Sequence, residues 1–423
     1  MKRYVDILKK LGIENYLITG KKRESAELFF IKKNLDMRRM KNVTDVTIRV
    51  FKDMQEGEKK FRGHAIVVGS ESMTDEEWEE RLKSAVFSAS NVKNPFFGLP
   101  QGVKSEEVVV ESGLNKLSLT EAAERFAKTA YEADNDPDAF INSFEVFSTK
   151  TQVRIVASNG CDVSYVKRNV WGELIAQCKA PQDVESYKQF SYDDCDFDEM
   201  KEFVTRTLQI TKDRAKASKM PKAGTYDIIL SDEHMSELMV FYKDRANAAY
   251  IFPGYSTYKV GDNIQGDVKG DLLNAEFDAR VPFSDSGIPM SKRPFIEEGV
   301  LKTIHGDVNF TYYLGVEQIG NYDKVVLPKG KVKFSELVNR RCLHVVNFSA
   351  FDMDSLDGTF KGEIRLAYLY DGNKNVSLVT GGSINGSIFE AQKDMIFSEE
   401  LTKQEEYEGP KAVLLKNVAV AGA

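Results

Sequence analysis

Residues 285–302 read DSGIPMSKRPFIEEGVLK, and this stretch decides the fold more than any other part of the chain. It contains a small polar turn, a basic patch between Pro289 and Pro294, and a second turn before a short apolar run. Gly287 and Gly299 stand at the turns, where glycine adopts a positive φ without steric cost. The stretch therefore predicts two strand segments separated by glycine-containing turns.

The bulk composition is that of an ordinary globular protein. The chain has 423 residues, of which 42% are hydrophobic and 29% charged, enough for about two or three domains. Its formal net charge is −7. A surface that binds a nucleic acid duplex needs a basic face, so this charge argues against nucleic acid as the main partner.

The sequence predicts a cytoplasmic protein without a membrane span. Apolar residues of the first segment recur at helical spacing rather than as one apolar core, which differs from a signal peptide. No run approaches the ~20 apolar residues that cross a bilayer. The four cysteines are scattered without paired spacing, which favours reduced thiols over disulfides or metal ligands.

The pattern along the chain predicts an α+β protein. Two small α/β subdomains, residues 1–95 and 116–218, precede a mostly β C-terminal domain, residues 222–423, with one main helix at 232–250. Thr74 and Ser118 stand where helix N-caps are expected. The Asn159-Gly160 pair between two strand-like runs predicts a hairpin turn.

Several segments in the C-terminal half resemble the TldD/PmbA family, whose members include proteins labelled as modulators of DNA gyrase. Besides 285–302, the segments that carry the resemblance are, in chain order, YDIIL at 226–230, VGDNI at 260–264, FKGEIRLAYLYDG at 360–372, GGSINGS at 381–387 and VAVAG at 418–422. Their order and spacing make the resemblance more specific than any single segment. The resemblance implies a scaffold shared with a zinc metallopeptidase.

Active members of this family have an H-E-x-x-x-H motif on the helix after the first C-terminal strand, and a later cysteine. Two imidazoles of that motif bind zinc, and the glutamate polarises the bound water. Counted from 226–230, the motif falls on Val240, Phe241 and Arg245. No histidine of this chain is followed by glutamate, and 408–415 contains no thiol. The resemblance therefore points to the PmbA/TldE-like branch, without catalytic residues or metal ligands of its own.

His234 and Glu237 are the remaining candidates for a cleft site. Their i,i+3 spacing places both on one helix face. The favoured interpretation is a helix start, with Ser231 as N-cap and acids near the positive end of the helix dipole. A metal role for His234 is the alternative. The acidic run at 191–200 lacks the spacing of a calcium loop and is interpreted as acids preceding a helix.

The resemblance implies a non-catalytic subunit of a cytoplasmic TldD/TldE-type peptidase complex that acts in proteolysis. Its partner would be a TldD-like catalytic chain in a hetero-oligomer, or a second copy in a homodimer, with an extended peptide as substrate. Zinc is expected only in the TldD-like partner, and this chain has no cofactor. Two alternatives stay open: a regulatory protein-binding module of the gyrase-modulator type, and a stand-alone hydrolase with an atypical site around His234 and Glu237.

Overall fold

The N-terminal half is built on one seven-stranded sheet in the computed structural model, which describes residues 1–373 and 375–423. Its order is β3-β2-β1-β5-β6-β4, and β7 also pairs with β6. Neighbouring strands are antiparallel except β4 and β6. The strands are β1 (Tyr16–Ile31), β2 (Asn34–Glu56), β3 (Lys59–Ser70), β4 (Val108–Val109), β5 (Ala139–Ala157), β6 (Asp162–Cys178) and β7 (Val184–Tyr192).

Four α-helices pack on this sheet and bury its apolar face. They are α1 (Lys2–Lys10), α2 (Asp75–Ser90), α3 (Leu119–Ala133) and α4 (Phe197–Lys216), and a 3-10 turn spans Gly113–Lys116. Thr74 forms a capping box with Glu77, and Ser118 caps α3, so both predicted caps are confirmed. The α1 and α2 residues form one core cluster with β1–β3, and α3 and α4 form another with β5 and β6.

Strands from both predicted N-terminal subdomains share this sheet. The link is β1, which pairs with β2 on one side and with β5 on the other along its full length. The predicted hairpin turn is confirmed, because β5 and β6 flank Asn159 and Gly160, and Gly160 has a φ of 91°. The boundaries proposed at 95 and 116 stay a prediction.

The C-terminal half contains two further sheets and short helices. Its strands are β8 (Gly224–Ser231), β9 (Ala275–Asp278), β10 (Arg293–Glu297), β11 (Val300–Leu301), β12 (Lys324–Val326), β13 (Arg341–Met353), β14 (Thr359–Asp371), β15 (Val376–Val379), β16 (Ser383–Ser387), β17 (Ile396–Phe397), β18 (Leu401–Lys403), β19 (Tyr407–Pro410) and β20 (Ala412–Ala421). Its helices are α5 (Glu233–Arg245), α6 (Ala248–Ile251), α7 (Val308–Leu314), α8 (Phe334–Leu337) and α9 (Ile388–Ala391).

One C-terminal sheet closes on itself. Its strands follow the order β13-β8-β20-β16-β14-β15, and β13 also pairs with β14, so five strands form a closed ring. The other sheet is open, with the order β11-β10-β9-β12-β19-β18. Side chains from α5 and from both sheets form the largest core cluster. The predicted α+β class is confirmed, with its strongly β C-terminal half.

The stretch 285–302 folds as its sequence predicts and also joins the two halves. Gly287 and Gly299 have φ values of 75° and 78°, and β10 and β11 pair as a hairpin. Phe283 and Ile288 pack into a cluster with Ile155 of β5. This turn therefore anchors the C-terminal half against the β5–β6 hairpin.

None of the helices in the described residues combines the length and apolar character needed to cross a membrane.

Candidate functional site

The connection from β8 to α5 differs from the predicted helix start. The N-cap residue is Asp232, with φ 56° and ψ −120°, instead of Ser231. Ser231 Oγ lies 2.9 Å from His344 Nε2 on β13 and accepts a hydrogen bond from Arg206 Nη2 at 3.2 Å. Because these distant partners hold the hydroxyl, it does not turn back to an amide of the first helical turn.

The positions expected for the family's zinc motif lie on α5 and are packed with other side chains. Phe241 is fully buried and meets the ring of Phe389 edge-on at 5.3 Å. Arg245 donates hydrogen bonds to the carbonyls of Ser355 and Leu356 at 3.2 and 3.0 Å. Its guanidinium also lies over three aromatic rings, those of Phe241, Tyr258 and Phe389 at 5.5, 4.9 and 5.4 Å. Val240 is half-buried.

These three side chains do not fit a zinc ion. Zinc in proteins is bound by imidazole, thiolate or carboxylate groups, with one open position in catalytic sites. A hydrocarbon side chain, an aromatic ring and a guanidinium supply none of these ligands, and the guanidinium also repels a cation. The assignment of the motif to Val240, Phe241 and Arg245 rests on spacing and stays a prediction.

His234 and Glu237 come together as their spacing predicts. His234 Nδ1 lies 2.8 Å from Glu237 Oε2. The imidazole ring packs against Phe348 and Phe351 at 4.8 and 5.6 Å, and its Nε2 is buried without a hydrogen-bond partner. In residues 1–373 and 375–423, no three His, Cys, Asp or Glu side chains converge so as to hold a metal ion. The imidazole of His234 is therefore packed like a structural element of the core, beside a partly exposed Glu237.

Two other histidines are buried and neutral. Burial, together with the positive charge of Arg206, lowers the pKa of His344 to about 3. Burial also lowers the pKa of His305 to about 4. His305 Nε2 donates to the carbonyl of Lys243 at 3.0 Å, while its Nδ1 accepts from the Tyr322 amide at 3.1 Å. This arrangement uses both nitrogens of a neutral imidazole.

A cleft of about 770 Å³ lies between the two halves of the chain. It is lined by residues 188–192 of β7, one face of α4, the start of α5 and residues 401–405, which include β18. Sequence analysis missed this cleft, although it identified the acidic run at 191–200 on one wall. No local pattern could reveal it, because its walls come from segments far apart in the chain.

Charged groups at the floor of the cleft are coupled in ion pairs. Arg206 pairs with Asp232, and Lys188 pairs with Glu233. Burial alone would raise the pKa of Glu233, but the nearby charges of Lys188 and His234 lower it to about 2. Asp232 is only 9% exposed, and its Oδ2 has no hydrogen-bond partner. The floor therefore keeps one buried carboxylate oxygen without a donor.

Solved structures of similar fold cover nearly the whole chain. A proposed modulator of a DNA gyrase from Thermotoga maritima MSB8 is 18% identical, with a TM-score of 0.77 over 99% of both chains. TldE from Thermococcus kodakarensis is also 18% identical, with a TM-score of 0.79 over 99% of this chain and 100% of that one. A proposed modulator of DNA gyrase from Bacteroides thetaiotaomicron VPI-5482 is 13% identical, with a TM-score of 0.79 over 100% and 98%.

Comparison of the sequence with known protein families shows which family the C-terminal half matches. No curated protein sequence matches the chain. The model of the PmbA/TldA metallopeptidase C-terminal domain matches residues 223–422, which begin one residue before β8 and end just after β20. The match covers both C-terminal sheets and the resemblance noted in the sequence. The C-terminal half of the chain therefore matches the TldD/PmbA family, and the whole chain shares the fold of the TldE and gyrase-modulator structures.

Proposed function

We propose that this chain is a non-catalytic, TldE-type subunit of a TldD/TldE-type zinc metallopeptidase complex that processes peptides. The observation that carries the proposal is the occupation of the expected motif positions on α5 by Val240, Phe241 and Arg245. Catalysis would then belong to a TldD-type partner that carries H-E-x-x-x-H. The structural similarity to TldE from Thermococcus kodakarensis over both full chains supports the same assignment.

The packing around α5 supports this role beyond the loss of ligands. Arg245 is buried, and its hydrogen bonds to the 355–356 backbone occupy the space beside the helix. Phe241 faces the core, where it cannot polarise a water molecule. Restoring a zinc site would require replacing packed core residues as well as introducing ligands. This packing supports a chain that lacks zinc chemistry of its own.

The test compares the chain alone with the chain mixed with a TldD-type protein. Purified alone, it is expected to hold no stoichiometric zinc by elemental analysis and to cleave no unstructured peptide. When mixed, it is expected to co-elute with the TldD-type chain and to raise peptide cleavage by that chain. Stoichiometric zinc in the purified chain, or peptide cleavage without a partner, would contradict the proposal.

A regulatory protein-binding role is the second candidate. It is favoured by the two similar structures described as proposed modulators of DNA gyrase. The net charge of −7 argues against direct DNA contact but permits contact with a protein. Affinity purification from the source organism separates the two roles. A co-purifying chain with H-E-x-x-x-H supports the peptidase subunit, and a topoisomerase without such a chain supports the regulatory module.

The third candidate is a stand-alone hydrolase at His234 and Glu237. His234 is buried between Phe348 and Phe351, which leaves little access for a substrate. Any hydrolytic activity of the purified chain should be measured again in the His234→Ala variant. A loss of activity would favour this candidate, and an unchanged activity would remove it.

A further inference from the structure

We propose that the cleft between β7 and β18 binds an extended peptide segment that carries cationic side chains, by addition of the peptide as a strand. This inference deepens the proposed function, on which it rests, because it assigns a peptide-binding site to the non-catalytic chain itself. The site lies at the junction of the two halves, and its lining does not include Val240, Phe241 or Arg245, where the zinc motif is expected.

Two strand edges run along this cleft. Each of β7 and β18 pairs with only one neighbour in the described residues, β6 and β19 respectively. Consecutive residues of both edges, 188–192 and 401–405, line the cleft. Consecutive strand residues point to opposite faces of a sheet, so a cavity that touches all of them follows the strand edge. Such an edge offers backbone N–H and C=O groups to an extended peptide.

The charges of the lining select a cationic ligand. The lining contains six acids and four bases. All four bases are engaged in ion pairs, of Lys188 with Glu233, Arg206 with Asp232, Lys403 with Asp196 and Lys411 with Glu202. Each positive charge of the lining is therefore offset by a carboxylate, and the cleft as a whole is acidic. Glu199 is exposed on the α4 wall and takes no part in these ion pairs, so it remains for a ligand cation.

The floor of the cleft supplies an independent indication of a ligand. Asp232 lines the cleft and is nine-tenths buried, yet its Oδ2 lacks a hydrogen-bond partner. A buried carboxylate oxygen without a donor costs about 1–3 kcal/mol or more. The other oxygen, Oδ1, already pairs with Arg206, and Oδ2 is shielded from solvent, so a lysine ammonium, an arginine guanidinium or a peptide N–H of a ligand would satisfy Oδ2 once the side chain turns towards the cleft. The missing group is therefore a donor, which matches the excess of acids around it.

One aromatic wall suits the same ligand. Trp171 lines the cleft, is 39% exposed and stacks on Phe147 with ring centroids 4.3 Å apart. This stacking fixes the indole, whose remaining face can lie over a cationic side chain. Trp171 stands on β6, so a peptide added to the free edge of β7 would lie two strand spacings away, roughly 10 Å, a distance that a long lysine or arginine side chain can span towards this ring.

The experiment measures binding of labelled peptides to the purified full chain by fluorescence anisotropy. The probe is an unstructured octapeptide of alternating lysine and threonine. Two comparison peptides replace every lysine with glutamate, or carry N-methyl groups on alternate backbone amides. The glutamate peptide and the N-methylated peptide are each expected to bind at least about tenfold more weakly, because the first has its charges reversed and the second loses alternate N–H donors.

Two variants separate the cleft from general attraction to an acidic protein. Glu199→Gln is expected to weaken binding of the lysine peptide about three- to tenfold. Glu80→Gln, on the exposed side of α2, removes the same charge far from the cleft and is expected to leave binding unchanged. Equal binding of the N-methylated peptide, equal effects of the two variants, or no binding of the lysine peptide would each overturn the proposal. The assay contains no TldD-type chain, so its failure leaves the subunit role to be decided by the mixing experiment.

Discussion

His305 connects two segments of the C-terminal half through hydrogen bonds of its side chain. Its two nitrogens link the end of α5, through Lys243, to the backbone before β12, through Tyr322. Its ring packs on Phe277 with centroids 4.7 Å apart. Protonation would turn Nδ1 into a donor facing the Tyr322 amide. The native fold therefore favours the neutral form of His305.

This arrangement predicts a loss of stability in acid. The pKa of His305 is about 4 in the folded chain against about 6.5 when unfolded, so between these values the unfolded chain binds more protons. Stability must fall as the pH decreases through that window, by about 2 kcal/mol at pH 5 from this residue. His305→Gln keeps a donor and an acceptor without a proton to bind. In urea unfolding, the free energy of unfolding should fall less between pH 7 and pH 5 in the variant than in the unchanged protein. Equal losses in both proteins would contradict this account.

Gly287 combines a positive φ with a close neighbour. A Cβ at this position would lie 2.3 Å from Cys161 Sγ, at the contact between the two halves. Gly287→Ala is expected to lower the free energy of unfolding by about 2–4 kcal/mol, from left-handed strain and overpacking together. Gly57→Ala is the control, because Gly57 has a φ of 60° but an open environment. Gly57→Ala should lower the free energy of unfolding by about 1 kcal/mol. If urea unfolding shows a similar loss of stability for Gly287→Ala and Gly57→Ala, the predicted clash with Cys161 is excluded.

At the scale of elements, α5 shows what sequence could and could not predict. Its apolar periodicity predicts the helix and its buried stripe, because those depend on neighbours three and four residues away. Its N-cap was predicted wrongly, because Ser231 is held by His344 on β13 and Arg206 on α4. The His234–Glu237 contact follows from local spacing. The β7–β18 cleft depends on strands distant in sequence, which no local pattern reports.

The same helix gives a test of the packing that replaces the zinc motif. Arg245→Met removes the donors to the carbonyls of Ser355 and Leu356 and leaves both without that partner. The expected loss in the free energy of unfolding is about 2–4 kcal/mol. Ser236→Ala on the same helix is the control and should stay within about 0.5 kcal/mol. Chemical denaturation of both variants measures the difference. If Arg245→Met proves as stable as the control, the guanidinium is not a structural element of this site.

At the scale of the whole molecule, two halves meet at the 285–302 turn on one side and at the β7–β18 cleft on another. At the turn, the apolar side chains of Phe283 and Ile288, which flank Asp285–Gly287, pack against β5 and β6. The cleft is open and charged. The fold class and the family domain could be predicted from the sequence, because turn glycines and strand patterns are local. The closed ring of five strands could not, since β8 pairs with β13 and with β20, which lie far from it along the chain.

The central claim is that this family scaffold works as a subunit without its own zinc chemistry. The most direct measurement is zinc content together with peptide cleavage, for the purified chain and for the same chain mixed with a TldD-type protein. The account predicts no stoichiometric zinc and no cleavage for the chain alone, and increased cleavage with one zinc per TldD-type chain in the mixture. One zinc per chain in the isolated protein, with peptide cleavage that a chelator abolishes, would contradict it.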